Sequence, residues 1–276
     1  MDAIHKKYLR MDKLPHIWCP GCGNGTIMGA FIRAMDTLEY EQDDVVAVSG
    51  IGCSGRITGY LDFNTLHTTH GRALAFATGV KMANPRLKVF VFMGDGDATA
   101  IGGNHLIHSC RRNIDITAII FNNHIYGMTG GQFSPTTFKN KYATTAPYGT
   151  TDPDFDICNL CIGAGASYVA RVTSYHAKML TDLIVAGARH KGFSVIEVIT
   201  HCPVNFGRRN DFDTPADMLR WQKDHAVRAA KAETMPMEDM EGKFVIGELK
   251  KVDKPEYVAE YDRLIDDVRK GVPHRG

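Results

Sequence analysis

Along the chain, short uninterrupted apolar runs alternate with longer segments in which apolar residues recur every three or four positions. A short apolar run fits a strand buried on both faces, whereas a 3.6-residue period fits a helix that lays one face on a sheet. Val45 to Val48, Leu87 to Met93, Ile116 to Asn122, Ser167 to Arg171 and Ser194 to Thr200 read as strands. Thr26 to Leu38 reads as a helix, because Ile27, Met28, Phe31, Ile32, Met35 and Leu38 fall on one face. His70 to Ala83, a stretch ending at about Arg112, Phe155 to Ala164 and His176 to Lys191 read as further helices, the first of these ended by Pro85. The alternation predicts an α/β fold, a mostly parallel sheet with helices on both faces, with ligands beyond the carboxyl ends of the strands.

From Asp211 onward the chain is more polar and less periodic, with a break at Met235-Pro236-Met237 and a charged amphipathic helix at Pro255 to Arg269. We therefore divide it into a domain at 1–210 and an irregular or helical C-terminal arm at 211–276, either a partner-contact extension or a solvated tail. The 32 basic and 31 acidic residues leave no global field to recruit nucleic acid. The longest apolar runs are strand-sized, so no membrane span is expected, and Asp2, Lys6, Lys7 and Arg10 interrupt any signal peptide. A cytoplasmic protein is the expectation. Seven cysteines, an odd number, argue for free thiols or metal ligands over a disulfide framework.

Two constellations carry chemistry. Gly94-Asp95-Gly96-Asp97 directly follows a buried strand, so its glycines permit a tight turn while Asp95 presents a carboxylate at the strand end. The next strand ends in Asn122-Asn123, where an amide oxygen can serve as a second ligand for the same Mg²⁺. The pair resembles the thiamine diphosphate motif, in which G-D-G is followed by N-N. That resemblance implies Asp95, Asn123 and the carbonyl of Ile125 as Mg²⁺ ligands, and Gly127, Met128 and Thr129 as contacts of the diphosphate.

The second constellation is made of thiols. Cys19 and Cys22 stand in C-P-G-C-G, a turn that can aim two thiolates at one centre. Cys53, in a turn after a strand, and Cys202, after the last strand of the first domain, can bring the set to four. A rival set pairs Cys19 and Cys22 with Cys158 and Cys161 as a zinc-ribbon-like site. Cys158 and Cys161 lie in an amphipathic helical pattern, however, where they read as small core residues, as does Cys110.

C-P-G-C-G, G-I-G-C-S-G-R, H-T-T-H-G-R-A, G-D-G-D, N-N-H-I-Y-G-M-T-G-G-Q-F-S-P-T and the late C-P together resemble the β subunit of the 2-oxoacid:ferredoxin oxidoreductases, over about Ile17 to Gly207. The resemblance implies a thiamine diphosphate-binding fold and one 4Fe-4S cluster on Cys19, Cys22, Cys53 and Cys202. It further implies thiamine contacts at Ile51, Gly52, Cys53, Ser54, His70, Gly96 and Asp97; His70 on sequence alone is a helix-cap histidine. The implied reaction is the CoA-dependent oxidative decarboxylation of a 2-oxoacid, with ferredoxin as electron acceptor and, in principle, reversible. The glutamate that activates the cofactor's aminopyrimidine cannot be placed here. The resemblance assigns it to an α subunit, expected in an α2β2 assembly. Arg56, three residues beyond Cys53, points to 2-oxoglutarate, whose far carboxylate it can pair. The alternatives are pyruvate or a branched-chain 2-oxoacid as substrate and, in another class, a non-catalytic zinc-stabilised scaffold.

Overall fold

The computed structural model describes residues 3–271; Asp2 of the N-terminal charge pattern and the last five residues of the 211–276 segment lie outside the described residues. The elements are α1 (Ala3–Tyr8), α2 (Asn24–Leu38), β1 (Val45–Ser49), β2 (Asn64–His67), α3 (Ala73–Ala83), β3 (Lys88–Gly94), α4 (Gly103–Arg112), β4 (Thr117–Asn122), α5 (Ile157–Gly163), β5 (Tyr168–Thr173), α6 (Ala177–Arg189), β6 (Ser194–Ile199), α7 (Pro215–His225), β7 (Ala226–Arg228), α8 (Ala229–Ala232), β8 (Phe244–Lys251) and α9 (Tyr257–Arg269). Eight strands form one sheet in the order β2-β1-β3-β4-β6-β5-β8-β7, and β1 to β6 pair in parallel. The predicted strands and helices all form, with ends moved by a few residues.

Successive strand residues alternate between two cores, as the two-residue period of a strand requires. Phe90 and Phe92 of β3 join Phe31 of α2 and Leu180 and Ile184 of α6 on one face. Val89, Val91 and Met93 join Leu74 of α3, Leu106 of α4 and Cys158 of α5 on the other. Both faces of the central strands are thus covered, which is why they read as continuous apolar runs. Among the described residues no helix is long and apolar enough to cross a membrane.

Two sequence expectations are corrected. The helix expected from His70 begins at Ala73, because Gly71 has φ +69 and its loop packs against the next turn: a Cβ on Gly71 would lie 2.7 Å from the Gly102 nitrogen. His70 is left in a turn. The segment from Asp211, read as irregular or helical, also contains β8, which pairs antiparallel with β5 from Tyr168–Lys251 to Arg171–Gly247. It covers an edge that would otherwise expose unpaired backbone groups. The strand was illegible because β8 carries Glu248, Lys250 and Lys251 on an only partly buried edge.

At the end of the sheet away from the cleft described below, buried Lys81 of α3 donates to the Leu87 carbonyl at 2.8 Å and to Asp115 Oδ2, ahead of β4, at 2.9 Å. Burial raises the Asp115 carboxyl, but the Lys81 hydrogen bond and charge, helped by Lys191, outweigh it and hold it below the ordinary carboxylate range. A carboxylate depressed in the folded state adds stability above its unfolded pKa and loses it as pH falls through the folded value. Asp115→Asn should therefore cost about 3 kcal/mol in urea unfolding at pH 7. The gap from wild type should shrink once the pH drops below about 4; a penalty independent of pH would show that the ion pair is not its source.

Candidate functional site

β1 and β3 are neighbours, yet β1 pairs on its other side with β2 while β3 leads on to β4. This reversal of direction opens a crevice beyond the strand ends. Three segments wall it: Ile51 to Ser54 after β1, Gly94 to Asp97 from the end of β3, and Asn123 with Ile125 to Thr129 after β4. His70, Asn24 and Phe121 complete the lining. Every residue proposed from sequence as a Mg²⁺ or thiamine contact lies on this one wall.

Asp95 is 2% exposed. Ser134 Oγ and Thr136 Oγ1 both hydrogen-bond its Oδ2, at 2.5 and 2.6 Å, leaving Oδ1 outside this pair. Burial raises the Asp95 carboxyl, and the two hydroxyls pull it back. Asp97 is raised by burial too, with the Gly71 N–H and His70 opposing. Its Oδ1 accepts the Gly71 N–H at 2.7 Å and lies 2.6 Å from His70 Nδ1, while the buried Oδ2 has no hydrogen-bond partner among the described residues. Two buried carboxylates in one cleft without a Lys or Arg partner among the described residues fit a divalent cation, since an uncompensated buried charge is costly.

The two asparagines separate in role. Asn122 is committed behind the cleft: its Nδ2 donates to Glu197 Oε1 at 2.8 Å, and Glu197 Oε2 accepts from Arg171 Nε at 2.7 Å and from the Cys158 thiol at 3.1 Å. Asn123 lines the cleft, and its Oδ1 accepts the Ile125 N–H at 3.3 Å, which turns the chain so that Ile125 also lies on the wall. Tyr126 donates to the Gly96 carbonyl at 3.2 Å, and a Cβ on Gly96 would lie 2.3 Å from its ring, so only glycine fits there.

The sequence profile described as the C-terminal TPP binding domain of thiamine pyrophosphate enzymes matches residues 50–198, the stretch holding all three walls. The chain is 52% identical to the 2-oxoglutarate synthase subunit KorB of Methanocaldococcus jannaschii, over 95% of this chain and 97% of that one. It is 51% identical to the subunit of the same name from Archaeoglobus fulgidus, over 98% of each. The chain belongs to the KorB family of thiamine pyrophosphate enzymes. Its fold superimposes on the 2-oxoglutarate:ferredoxin oxidoreductase from Magnetococcus marinus, solved with 2-oxoglutarate, coenzyme A and succinyl-CoA bound, with a TM-score of 0.84 and 34% identity, covering 99% of this chain and 92% of that one.

The thiols of this KorB-family chain fall in two places. Cys158 and Cys161 are fully buried in the core beneath α5 with Cys110, far from a shared turn with Cys19 and Cys22. Cys22, Cys53 and Cys202 lie close enough to Cys19 that its charge would disfavour ionisation of each of them. Burial first, then neighbouring thiols, pushes Cys22 up to about 12 and Cys53 up to about 11. A Cβ on Gly127 would lie 3.5 Å from Cys53 Sγ and 3.6 Å from Cys202 Sγ, which puts two of the sulfurs against the cleft loop. Among the described residues no three His, Cys, Asp or Glu side chains are grouped to hold a metal ion. Three neighbouring thiols whose deprotonation burial opposes, Cys22, Cys53 and Cys202, with the exposed Cys19 beside them, are nonetheless chemically suited to a group that supplies positive charge to thiolates, as iron does.

Arg56 does not line the cleft. It sits in the 3₁₀ turn Ser54–Gly59, half-buried, with Nε buried and unpartnered among the described residues, and its charge helps depress His67 after burial. Sequence reasoning missed Asn24 and Tyr126 on the wall. The one available signal was adjacency, to C-P-G-C-G for Asn24 and to Ile125 for Tyr126.

Serine replacement separates the two thiol sets. After anaerobic reconstitution with iron and sulfide, Cys202→Ser should lose most of the visible absorbance, whereas Cys158→Ser should keep it. The opposite pattern would restore the double C-x-x-C arrangement.

Proposed function

We propose that this chain is the β subunit of a 2-oxoglutarate:ferredoxin oxidoreductase, acting on 2-oxoglutarate and CoA to yield succinyl-CoA and CO2 while ferredoxin is reduced. The observation that supports this most is the double membership of Cys53, which lines the cleft and belongs to the neighbouring set of four thiols. A redox centre on those thiols would adjoin whatever the cleft binds. Thiamine diphosphate held by this wall would supply an electron sink for loss of the 2-oxoacid carboxylate, and a 4Fe-4S cluster held by Cys19, Cys22, Cys53 and Cys202 would supply a one-electron acceptor beside it.

The residues of the chain have separable tasks in this reading. Asp95, Asn123 and the Ile125 carbonyl hold Mg²⁺, with Ser134 and Thr136 orienting the Asp95 carboxylate through Oδ2. Gly127, Met128 and Thr129 receive the diphosphate. Ile51, Gly52, Ser54, His70, Gly96 and Asp97 shape the remaining wall, where His70 Nδ1 lies close to Asp97 Oδ1. Cys19, Cys22, Cys53 and Cys202 carry the cluster, the electron exit to ferredoxin. The partner is an α subunit in an α2β2 assembly, which supplies the glutamate for the aminopyrimidine. Phe76 at 47% and Ile101 at 52% exposed, either side of the His70 turn, give that partner an apolar surface beside the cleft. Arg56, which stands behind the cleft on the turn after Cys53, would pair with the far carboxylate of the substrate only after the partner completes the site and the guanidinium swings toward it.

Two measurements test these assignments. In calorimetric titration with thiamine diphosphate and Mg²⁺, Asp95→Ala should abolish binding and Asn123→Ala should weaken it about tenfold or more; unchanged affinity in both removes the metal assignment. In the assembled enzyme, Arg56→Met should lower kcat/KM for 2-oxoglutarate about a hundredfold and leave pyruvate nearly unaffected. An equal loss on both substrates would assign Arg56 to structure or cofactor instead.

A further inference from the structure

Asn24 is the first residue of α2, two positions after Cys22, and is 1% exposed. Its side chain lines the cleft, yet both polar atoms, Nδ2 and Oδ1, are buried without a hydrogen-bond partner among the described residues. Buried polar groups in folded proteins are almost always paired, and each one left unmade costs about 1–3 kcal/mol. An amide orphaned at both ends is therefore a group reserved for something that enters the cleft.

The chemistry of the amide narrows what that is. Nδ2 only donates and Oδ1 only accepts, so a matching ligand must offer an acceptor and a donor together. An iron-sulfur cluster presents only acceptors, its sulfides and thiolates, and would leave Oδ1 unmet. A 2-oxoacid dianion likewise presents only acceptors. Thiamine diphosphate presents both, most compactly on its aminopyrimidine, where an exocyclic amine adjoins a ring nitrogen. That is the pattern an asparagine amide matches with two hydrogen bonds on adenine.

We infer that Asn24 is a contact of thiamine diphosphate, donating from Nδ2 and accepting at Oδ1. This rests on the thiamine reading of the cleft and adds a wall residue from the thiol-bearing N-terminal segment, so one helix start serves both the cofactor and, through Cys22, the thiol set. A residue kept for packing and one kept for a ligand respond oppositely to apolar replacement. Without ligand, removing an unpaired amide costs no hydrogen bond, so stability should hold or rise. With ligand, the contact is lost.

The test uses the assembled α and β subunits freed of thiamine diphosphate by dialysis, with Asn24→Leu as the shape-conserving variant and Asn24→Ala as the second. Titration with thiamine diphosphate and Mg²⁺ should show affinity at least about tenfold weaker in both variants. The melting temperature without cofactor should be equal to or above wild type, and the visible spectrum and midpoint potential of the cluster should be unchanged. Wild-type affinity in both variants overturns the inference while leaving the thiamine reading intact. A shifted cluster potential at unchanged affinity also overturns it, assigning the amide to the thiol centre. Failure of the wild-type protein to bind thiamine diphosphate would remove both the inference and the reading beneath it.

Discussion

A carboxylate buried at the end of a central strand, with no Lys or Arg against it among the described residues, is the constraint around which this structure is arranged. Asp95 is held there by two hydroxyls on one oxygen and stands beside a second buried acid, Asp97. Burial raises both carboxyls, so the chain alone stores an electrostatic cost that an arriving divalent ion would relieve. The surrounding features serve that site. The reversal of strand order opens the crevice, the Asn123 turn brings a second oxygen to it, and the absence of a side chain at Gly96 admits Tyr126.

The same carboxylate is tied into a buried chain of polar groups. Thr136 Oγ1 lies 2.6 Å from Asp95 and 2.9 Å from Asn122 Oδ1, and Asn122 reaches Glu197 of β6, which pairs with Arg171 of β5. Arg171 continues to Asp156 at 2.6 Å, at the start of α5. Burial opposes the Arg171 charge, but Glu197, Cys158 and Asp156 outweigh it and keep the guanidinium ionised. A hydrogen-bonded network of this kind holds the end of β4 rigidly, which the proposed placing of oxygens around a small cation would need.

On the other side of the cleft, the thiols and the cleft wall share residues instead of merely adjoining. Cys53 belongs to both, Gly127 packs near Cys53 and Cys202, and Asn24 and Cys22 share one helix start. On the proposed reading, electron transfer from the cleft to a centre on these thiols would need no moving part, only proximity.

The periodicity of the sequence determined the α/β class, the central strands and the helices that cover them, because residues on both faces of a buried strand answer to the same solvent-exclusion rule. The turns at strand ends were legible as well, since glycine, acid and amide side chains gathered there had no packing reason to be. Other features came only from the tertiary structure. Asn122 and Asn123 look alike in sequence, and what divides them is Glu197, 75 residues from Asn122 along the chain. The turn at His70 follows from contact between Gly71 and the Gly102 backbone, and β8 from an edge of β5 left open. Asn24 and Tyr126 acquired a place in the cleft only when distant segments closed around it. Local pattern reports which side of an element faces away from water; which polar group meets which is decided by contacts between residues far apart in the chain.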